Sequence, residues 1–389
     1  MKRIIESLLD TDNYKLSMQR IYFYRFSDVV GEYSFRCRGD ETFTPDMVEE
    51  IRRQIDLLGD LRFTEEEIEY VKSMWYHSDA VGFHEFLRFF RLNPDFVTVD
   101  SSGPNGLTIR ARGPLWAVSP FEIHVLSIVN EVYFTMKYDM ASLISDSMSR
   151  FTEKMKKFRE RPFSVTEFGT RRRLSVMNQD IILRGLMHGA KGFLAGTSNV
   201  HLARKYGIKA MGTFAHEYVC VPQGLNDCSL RNSQRYAWDQ WCREYRGALG
   251  ICLTDTLGQD KFEMDFDRYW ANMFTGLRHD SGDPIEWGER AIDLYRKYDI
   301  DPGTKTLMFS DSLDFNGCWK LEDRFAGRVR TAYGIGTWLT NDTGKKPLNI
   351  VFKLVGVNGR PVAKLSNVDG KTMCEDDGFV KRLREDIRS

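Results

Sequence analysis

The chain has 389 residues, a length sufficient for two domains or one large domain with an appendage. Of these residues, 42% are hydrophobic and 28% are charged. Its 55 basic and 55 acidic residues give a formal net charge of zero, and this balance argues against a nucleic-acid-binding surface as the main purpose. An anionic ligand therefore has to be held by a local cluster of cations.

The cysteines and the N-terminus indicate the cellular compartment. Seven cysteines are present without a CxxC pair, and their odd number fits reduced thiols better than a disulfide framework or a structural zinc site. Residues 1–6 lack the apolar core of a signal peptide, and no apolar run approaches the roughly 20 residues of a membrane span. We therefore predict a cytoplasmic protein that has no membrane segment and binds no nucleic acid.

Strands and helices mix irregularly over residues 1–160. Residues 64–67 have the pattern of a capping box at a helix start. The apolar runs 96–99 and 107–111 flank a Gly-Pro-Asn-Gly turn and indicate a hairpin. These patterns predict a mixed α+β N-terminal domain over residues 1–160.

A different rhythm begins near residue 160, where short apolar runs alternate with helical stretches. The runs are residues 164–168, 192–195, 208–211, 250–253, 273–277, 306–309 and 329–333. Alternation of this kind implies a parallel sheet. The even spacing favours an irregular seven-stranded α/β barrel over residues 161–344 rather than an open doubly wound sheet.

The tail carries a hairpin pattern. The apolar runs 350–355 and 361–365 flank Asn358-Gly359, a sequence typical of a type I′ turn. We expect this C-terminal hairpin, within residues 345–389, to pack back on the N-terminal domain.

Polar side chains follow each predicted barrel strand, at the end where barrel enzymes place reactive groups. In strand order these candidates are Arg171; Thr197 and Ser198; His216 and Glu217; Asp255; Arg278, Asp280 and Ser281; Asp311; and Gly334, Gly336 and Thr337. We predict that they converge on one face and act on an anionic, phosphate-bearing substrate.

His216 has two interpretations, a helix-start histidine that satisfies a carbonyl or a general base or nucleophile oriented by Glu217. Asp255, Asp280 and Asp311 are each more often helix caps. Together, however, they can hold ribose hydroxyls or Mg²⁺ or stabilise a developing positive charge. No HxxxH motif or Cys/His cluster accompanies His216, so we predict no dedicated metal site on the protein.

The arginines and the last glycine-rich turn are candidates for anion binding. Arg171 and Arg278 could make bidentate contacts with a carboxylate or phosphate, although a structural ion pair is the usual role of a single arginine. We prefer that structural role for Arg172 and Arg173. The Gly-Ile-Gly-Thr turn at residues 334–337 could bind phosphate through backbone N–H groups, or could be a plain turn.

Five segments, in this order, resemble the nicotinate phosphoribosyltransferase family, which has the type II phosphoribosyltransferase fold. The segments are residues 11–18 (TDNYKLSM), 167–172 (EFGTRR), 195–200 (AGTSNV), 212–217 (GTFAHE) and 278–283 (RHDSGD). The resemblance covers essentially the whole chain, and the motifs are specific jointly rather than singly.

The resemblance implies a reaction. Nicotinate attacks C1 of phosphoribosyl pyrophosphate (PRPP), which gives nicotinate mononucleotide and pyrophosphate for NAD biosynthesis by salvage. In this family ATP hydrolysis is coupled to the transfer through a transient phosphohistidine, and the matching residue is His216. The resemblance further implies Mg²⁺, ATP as a co-substrate, and a homodimer with shared active sites.

Several residue roles follow from matching motifs. Phe168 is expected to stack on one face of the pyridine ring, and Tyr14 of the partner subunit is expected to cover the other. Arg171 and Arg278 are expected to bind the nicotinate carboxylate and the ribosyl phosphate, and which arginine binds which group is left open. Ser198 replaces an aspartate of the nicotinamide-using relatives, which removes a repulsion and favours nicotinate.

The remaining roles concern the phosphoribosyl group. Asp280 is expected to contact the ribose, with Asp255 in the same pocket. Gly334, Gly336 and Thr337 are expected to hold the 5-phosphate.

Three alternatives remain at this point. A nicotinamide- or quinolinate-using phosphoribosyltransferase is the nearest, but quinolinate enzymes are shorter and use no phosphohistidine. A metal-dependent barrel hydrolase would need histidine ligands at other strand ends, where only His216 and His279 are available. A binding protein without turnover is the third, although His216 and Asp280 are both present.

Overall fold

The computed structural model describes residues 1–365, 372 and 374–388. Its α-helices are α1 (Asn13–Arg25), α2 (Pro45–Leu57), α3 (Glu65–Ser73), α4 (Val81–Phe89), α5 (Leu115–Val118), α6 (Phe121–Lys137), α7 (Met140–Glu160), α8 (Val176–Gly189), α9 (Val200–Tyr206), α10 (His216–Cys220), α11 (Ser233–Tyr245), α12 (Gln259–Asp265), α13 (Arg268–Met273), α14 (Pro284–Lys297), α15 (Phe315–Phe325), α16 (Thr337–Thr340) and α17 (Asp377–Arg388). Its strands are β1 (Val30–Cys37), β2 (Val97–Asp100), β3 (Thr108–Pro114), β4 (Val165–Glu167), β5 (Leu194–Thr197), β6 (Ile251–Leu253), β7 (Gly276–His279), β8 (Thr306–Phe309), β9 (Arg330–Ile335), β10 (Ile350–Val357) and β11 (Arg360–Pro361).

The chain forms two compact units. Unit 1 comprises Met1–Gly212 and Ile335–Lys353, and unit 2 comprises Thr213–Gly334 and Leu354–Ser389. Compact units are defined by spatial contacts, so the functional domains with boundaries at residues 160 and 344 stay a prediction. Within the predicted tail, residues 366–371, 373 and 389 lie outside the described residues.

Unit 1 contains the predicted hairpin of its N-terminal part. Strand β2 pairs antiparallel with β3 from Val97↔Ala111 to Asp100↔Thr108, and β3 also pairs antiparallel with β1. The predicted capping box is present, because Thr64 Oγ1 accepts from the Glu67 N–H while the Glu67 carboxylate accepts from the Thr64 N–H. Helix α6 is buried along almost its whole length and forms the core of this part.

Unit 1 also contains a parallel pair, β4 with β5. The segment 208–211, predicted as a further strand, makes only a single parallel bridge, between Ala210 and Thr197. Its shortness has a physical cause, because Gly207 ends α9 in the left-handed conformation and Gly212 has a φ of 132°. The two glycines leave too few extended residues for a ladder.

Unit 2 contains strands β6, β7, β8 and β9, which pair in parallel in chain order. Helices lie between them along the chain, as the alternation predicts. The mixed α/β class, with both a parallel and an antiparallel sheet, is confirmed, whereas closure into a seven-stranded barrel stays a prediction. The core of this unit is aromatic: the fully buried Trp238 of α11 makes edge contacts with rings that include Phe262 and Trp270.

The predicted turn of the C-terminal hairpin forms, but its second strand comprises only Arg360–Pro361 rather than the run 361–365. Val357 pairs with Arg360 and Gly356 with Pro361. Asn358 and Gly359 have φ values of 51° and 72°, which are the two positive angles that a type I′ turn requires. In the described part of the chain, no helix combines the length and hydropathy of a membrane span.

Candidate active site

The residues predicted at the strand ends of unit 2 do meet in space. Asp255 lies two residues after β6, Asp280 directly follows β7, and Ser310 directly follows β8. These three strands are adjacent and parallel, so their carboxyl ends point the same way and their following residues converge. His216 joins them as the first residue of α10.

His216 contacts both aspartates. Its Nε2 lies 2.7 Å from Asp255 Oδ1 and 3.7 Å from Asp280 Oδ2. Ser281 Oγ donates to the other oxygen of Asp255 at 2.6 Å. One nitrogen of the imidazole therefore faces two carboxylates, and a neighbouring hydroxyl fixes the nearer of them, Asp255.

Two cations complete what we call the His216 cluster, which consists of His216, Asp255, Asp280, Arg278 and Lys364. Arg278 Nη2 lies 3.1 Å from Asp280 Oδ1. Lys364 Nζ lies 2.8 Å from Asp255 Oδ2 and 3.8 Å from Asp280 Oδ2.

Sequence reasoning placed Ser310 at a strand end without giving it a role, and it missed Lys364. Arg278 Nε donates to Ser310 Oγ at 2.8 Å, and the position of Ser310 directly after β8 was a usable signal. Lys364 lies in the run 361–365 predicted for the C-terminal hairpin, and nothing local signals a role for it in the site, because this segment is remote in sequence from every predicted barrel strand.

The contacts set the protonation states of the cluster. Burial alone would raise the pKa of the Asp255 carboxyl, but its contacts with His216 and Lys364 hold that pKa well below its usual value. Burial would raise the pKa of Asp280, but the nearby Arg278 guanidinium favours its ionised form, and the net result is a lowered pKa. Burial and the nearby Lys364 ammonium lower the pKa of His216 against the pull of Asp255. Near pH 7 the cluster thus holds two carboxylates and a neutral imidazole.

A neutral imidazole here has one reactive nitrogen. Since the ionised Asp255 can only accept, His216 Nε2 carries the proton and donates it, which leaves the lone pair on Nδ1. Among the described residues no hydrogen bond engages Nδ1. The arrangement suits a nucleophile or base. The carboxylate on Nε2 is that of Asp255, and the catalytic role of Glu217 stays a prediction.

The structure gives less direct support for the remaining predicted residues, which are Asp311, Gly334, Gly336 and Thr337. Asp311 accepts from Ser312 Oγ at 3.1 Å, and its charge acts against burial on the pKa of His279. Gly334 lies inside β9 rather than after it, whereas Gly336 directly precedes α16 and Thr337 begins it. The 5-phosphate role of Gly334, Gly336 and Thr337 stays a prediction.

In unit 1, the Glu122 carboxylate contacts Arg171 and Tyr14, which were predicted to bind substrate, and also Lys15. Arg171 Nη1 lies 3.7 Å from Glu122 Oε1. Tyr14 donates its hydroxyl to Glu122 Oε2 at 3.4 Å, and Lys15 lies 2.7 Å from the same oxygen. Phe168 directly follows β4 and donates its N–H to the Ile335 carbonyl at 2.9 Å.

The hydroxyls predicted to contact substrate already meet carboxylates. Ser198 Oγ donates to Asp12 Oδ1 at 2.6 Å, and Thr197 Oγ1 donates to Glu167 Oε2 at 2.6 Å. Burial raises the pKa of both Asp12 and Glu167. Sequence reasoning did not assign Asp12 a role, although it lies in the segment 11–18 that carries the family resemblance.

Unit 1 also contains a buried set of polar residues that we call the Arg173 network, which consists of Arg173, Asp10, Gln179 and Asn199. Arg173 donates to both carboxylate oxygens of Asp10, at 2.7 and 2.6 Å, and to Gln179 Oε1 at 2.9 Å. Asn199 Nδ2 donates to Asp10 Oδ1 at 2.7 Å. Arg173 therefore has the structural role predicted for it.

Comparisons with known proteins cover the whole chain. The model of the nicotinate phosphoribosyltransferase (NAPRTase) family matches residues 163–388, and the model of the N-terminal domain of that family matches residues 9–130. The nicotinate phosphoribosyltransferase of Neisseria gonorrhoeae is 44% identical over 99% of this chain and 98% of its own. That of Chromobacterium violaceum is 44% identical over 98% of this chain and 96% of its own.

Solved structures give the same result. The crystal structure of nicotinate phosphoribosyltransferase from Vibrio cholerae superposes with a TM-score of 0.94 and 37% identity, covering 100% of this chain and 95% of that one. The structure of the enzyme of the same name from Porphyromonas gingivalis has a TM-score of 0.92 and 33% identity, covering 99% and 100%.

Proposed function

Because the chain belongs to the nicotinate phosphoribosyltransferase family, we propose that it transfers the phosphoribosyl group of PRPP to nicotinate. The products are nicotinate mononucleotide and pyrophosphate, in the salvage route of NAD biosynthesis. The observation that carries the proposal is the His216 cluster, in which one nitrogen of a neutral imidazole faces two carboxylates that are themselves paired with two cations. Such a site can act on phosphate-bearing substrates.

The second element of the proposal is a phosphohistidine. The Nδ1 lone pair of His216 attacks the γ-phosphorus of ATP, the N–P bond forms, and the bond from that phosphorus to the bridging oxygen of ADP breaks. The positive charge that develops on the ring is stabilised by the bond from Nε2–H to Asp255. Water later attacks the phosphorus, releases phosphate and returns the neutral imidazole. The phosphorylated state adds roughly −1.5 to −2 of charge, by analogy with other phosphoryl groups.

The donor set of the His216 cluster can be compared with what Mg²⁺ requires. One ligand atom from each of His216, Asp255 and Asp280 lies within 4.8 Å of the others. However, the Lys364 ammonium lies 2.8 and 3.8 Å from the two carboxylates, so these residues do not fit a resident Mg²⁺. We propose instead that Mg²⁺ accompanies the phosphate groups of ATP and PRPP, which are ligands that this ion favours.

For the nicotinate ring we propose a stack between Phe168 and Tyr14 of the partner subunit in a homodimer with shared active sites. Arg171 is a candidate for the substrate carboxylate, because 44% of its side chain is exposed and a guanidinium can bind a carboxylate through two parallel hydrogen bonds. Arg278 is the other candidate. Its contacts with Asp280 and Ser310 support a role near the groups that we propose to bind phosphate.

For the phosphoribosyl group we propose contacts from the residues that surround the strand ends. Asp280, Ser281 and Asp311 offer oxygens to the ribose hydroxyls. Thr197 is a separate candidate for substrate binding. Backbone N–H groups of the segment from Gly334 to Thr337 are proposed to hold the 5-phosphate.

The decisive assay measures mononucleotide formation from nicotinate, nicotinamide and quinolinate in parallel, each with PRPP and Mg²⁺, with and without ATP. We expect product from nicotinate and a higher yield when ATP is present. Product from nicotinamide alone would refute the substrate assignment, and a yield that ATP does not change would refute the coupling.

A further inference from the structure

Lys364 reaches the His216 cluster from a distant part of the sequence, and its backbone is fixed on both sides. Ala363 and Gln223 exchange two hydrogen bonds, from the Ala363 N–H to Gln223 Oε1 at 2.8 Å and from Gln223 Nε2 to the Ala363 carbonyl at 2.9 Å. On the other side the Leu365 N–H donates to the Thr256 carbonyl at 2.8 Å. Lys364 is therefore tied to the segment after α10 and to the residue next to Asp255.

The fixed backbone places the ammonium between two carboxylates. Lys364 Nζ lies 2.8 Å from Asp255 Oδ2 and 3.8 Å from Asp280 Oδ2. Only 10% of its side chain is exposed, and a lysine so far from water is retained only when its charge is paired.

The position of this ammonium is the one that a divalent ion would otherwise take. Asp255, Asp280 and His216 offer two carboxylates and an imidazole within 4.8 Å of one another, a donor set that suits Mn²⁺ as well as Mg²⁺. An ammonium and a metal ion cannot share that space. The protein supplies a cation of its own there.

We propose that Lys364 is a permanent cation between Asp255 and Asp280, which keeps divalent ions out of this site in the free enzyme and positions Asp255 for its bond with His216. The positioning role rests on the proposed function, whereas the exclusion of metal does not. Lys364 is thus a positioning residue that acts through Asp255.

The proposal makes the metal the best probe. Lys364→Met removes the charge and leaves two carboxylates facing each other, so a divalent ion gains a site. Lys364→Arg keeps the charge and continues to exclude the ion. Lys364→Gln serves as a second neutral variant if the methionine variant folds poorly.

The experiment titrates Mn²⁺ alone into the full-length free enzyme and counts bound ions by electron paramagnetic resonance. We expect the Lys364→Met chain to bind one Mn²⁺ at least about tenfold more tightly than the parent. The additional change Asp280→Asn should remove the gain. Lys364→Arg should behave as the parent.

A matched control comes from the same unit. Lys261 is 7% exposed and lies 2.8 Å from Asp265, so Lys261→Met also breaks a buried lysine–aspartate pair, but away from His216. It should gain no Mn²⁺ site. Thermal melting of every variant separates lost folding from lost binding.

Two results would overturn the exclusion of metal: a parent enzyme that binds one Mn²⁺ and loses it on Asp280→Asn, or a folded Lys364→Met chain that gains no ion. The positioning role is tested by the kcat of ATP hydrolysis, which should fall at least about tenfold in Lys364→Met and recover in part in Lys364→Arg. An unchanged kcat in Lys364→Met would refute it. If the parent makes no mononucleotide, the proposed function fails while the Mn²⁺ result still decides the exclusion.

Discussion

The Arg173 network of unit 1 and the His216 cluster of unit 2 are built from similar parts but differ in how completely their charges are enclosed. In the network, Asp10 receives two bonds from Arg173 and one from Asn199, and both charged residues are almost fully buried. In the His216 cluster, 18% of the imidazole and 26% of Asp280 remain exposed.

The difference separates a structural role from a chemical one. A buried ion pair whose partners are all supplied by the protein fixes neighbouring segments and has no capacity for a ligand. A partly exposed cluster with a lone pair on His216 Nδ1 can accept a phosphoryl group. The four changes below break or sharpen this comparison, from the largest expected effect to the smallest.

His216→Ala should abolish ATP hydrolysis, a loss of at least about three orders of magnitude, because it removes the proposed phosphoryl acceptor. Slow transfer from PRPP to nicotinate should remain. Both rates are measured on one preparation, with His188→Ala as a control, since His188 is exposed and its ring bonds to the Arg184 carbonyl of its own helix. ATP hydrolysis at the parent rate would show that the phosphohistidine assignment is wrong.

Arg173→Met should lower the free energy of unfolding by about 3–5 kcal/mol, because it leaves Asp10 buried without its main partner. Arg173 counteracts burial and holds the pKa of Asp10 at about 2. This lowered pKa gives stability that is present above the ordinary value of 3.8 and is lost as pH falls from there toward 2. Urea unfolding at pH 7 and pH 3 measures both effects.

The control for this change is Arg235→Met, since Arg235 and Asp267 form a pair of which each side chain is 44% exposed. An exposed pair contributes about 0–1 kcal/mol. Equal losses in the two variants would contradict a special role for the buried network.

Ser198→Asp should lower kcat/KM for nicotinate by about 100-fold, because a second carboxylate beside Asp12 would repel the substrate carboxylate. Ser198→Asn, which has nearly the same volume without the charge, should lose much less. Steady-state kinetics with nicotinate and nicotinamide give both values. A Ser198→Asp enzyme that uses nicotinate as well as the parent would remove Ser198 from the specificity argument.

Glu131→Gln should raise the free energy of unfolding at pH 8 by about 1–2 kcal/mol. Burial, opposed by the charge of Arg173, raises the pKa of Glu131 from 4.5 to about 7. The folded protein therefore holds a proton that the unfolded chain releases between these values, and stability falls as pH rises from 4.5 to 7.

The amide variant has no such proton to lose, so its unfolding free energy should vary less over the same pH range. Urea unfolding of parent and Glu131→Gln at pH 5 and pH 8 provides the comparison. Parallel pH profiles would contradict the raised pKa.

Much of the local structure could be predicted because it depends on neighbours in sequence. Strand β8 coincides with the apolar run 306–309, and the Asn358-Gly359 turn has the two positive φ angles that its sequence requires. The segment 208–211 was apolar enough for a strand. It failed to become one because glycines on both sides limit its extended length.

The candidate site was predictable from the sequence only for residues that come just after the predicted parallel strands. Asp255 and Asp280 come within two residues of the ends of parallel strands, so their convergence followed from the expected sheet. Lys364 and Asp12 have no such relation. Lys364 meets Asp255 because its neighbours Ala363 and Leu365 are hydrogen-bonded to the Gln223 side chain and the Thr256 carbonyl. Asp12 meets Ser198 across 186 positions of the chain.

The sequence by itself determined the α/β class, the family and the choice of His216 as a candidate reactive residue, because periodicity, turn residues and ordered motifs are local properties of the chain. Only the tertiary structure decided which carboxylate holds the imidazole, which of its nitrogens is open, and that Lys364 provides the cation between Asp255 and Asp280. The physical reason is that charge interactions depend on distances of a few ångströms and on burial, and folding creates both between residues far apart in sequence.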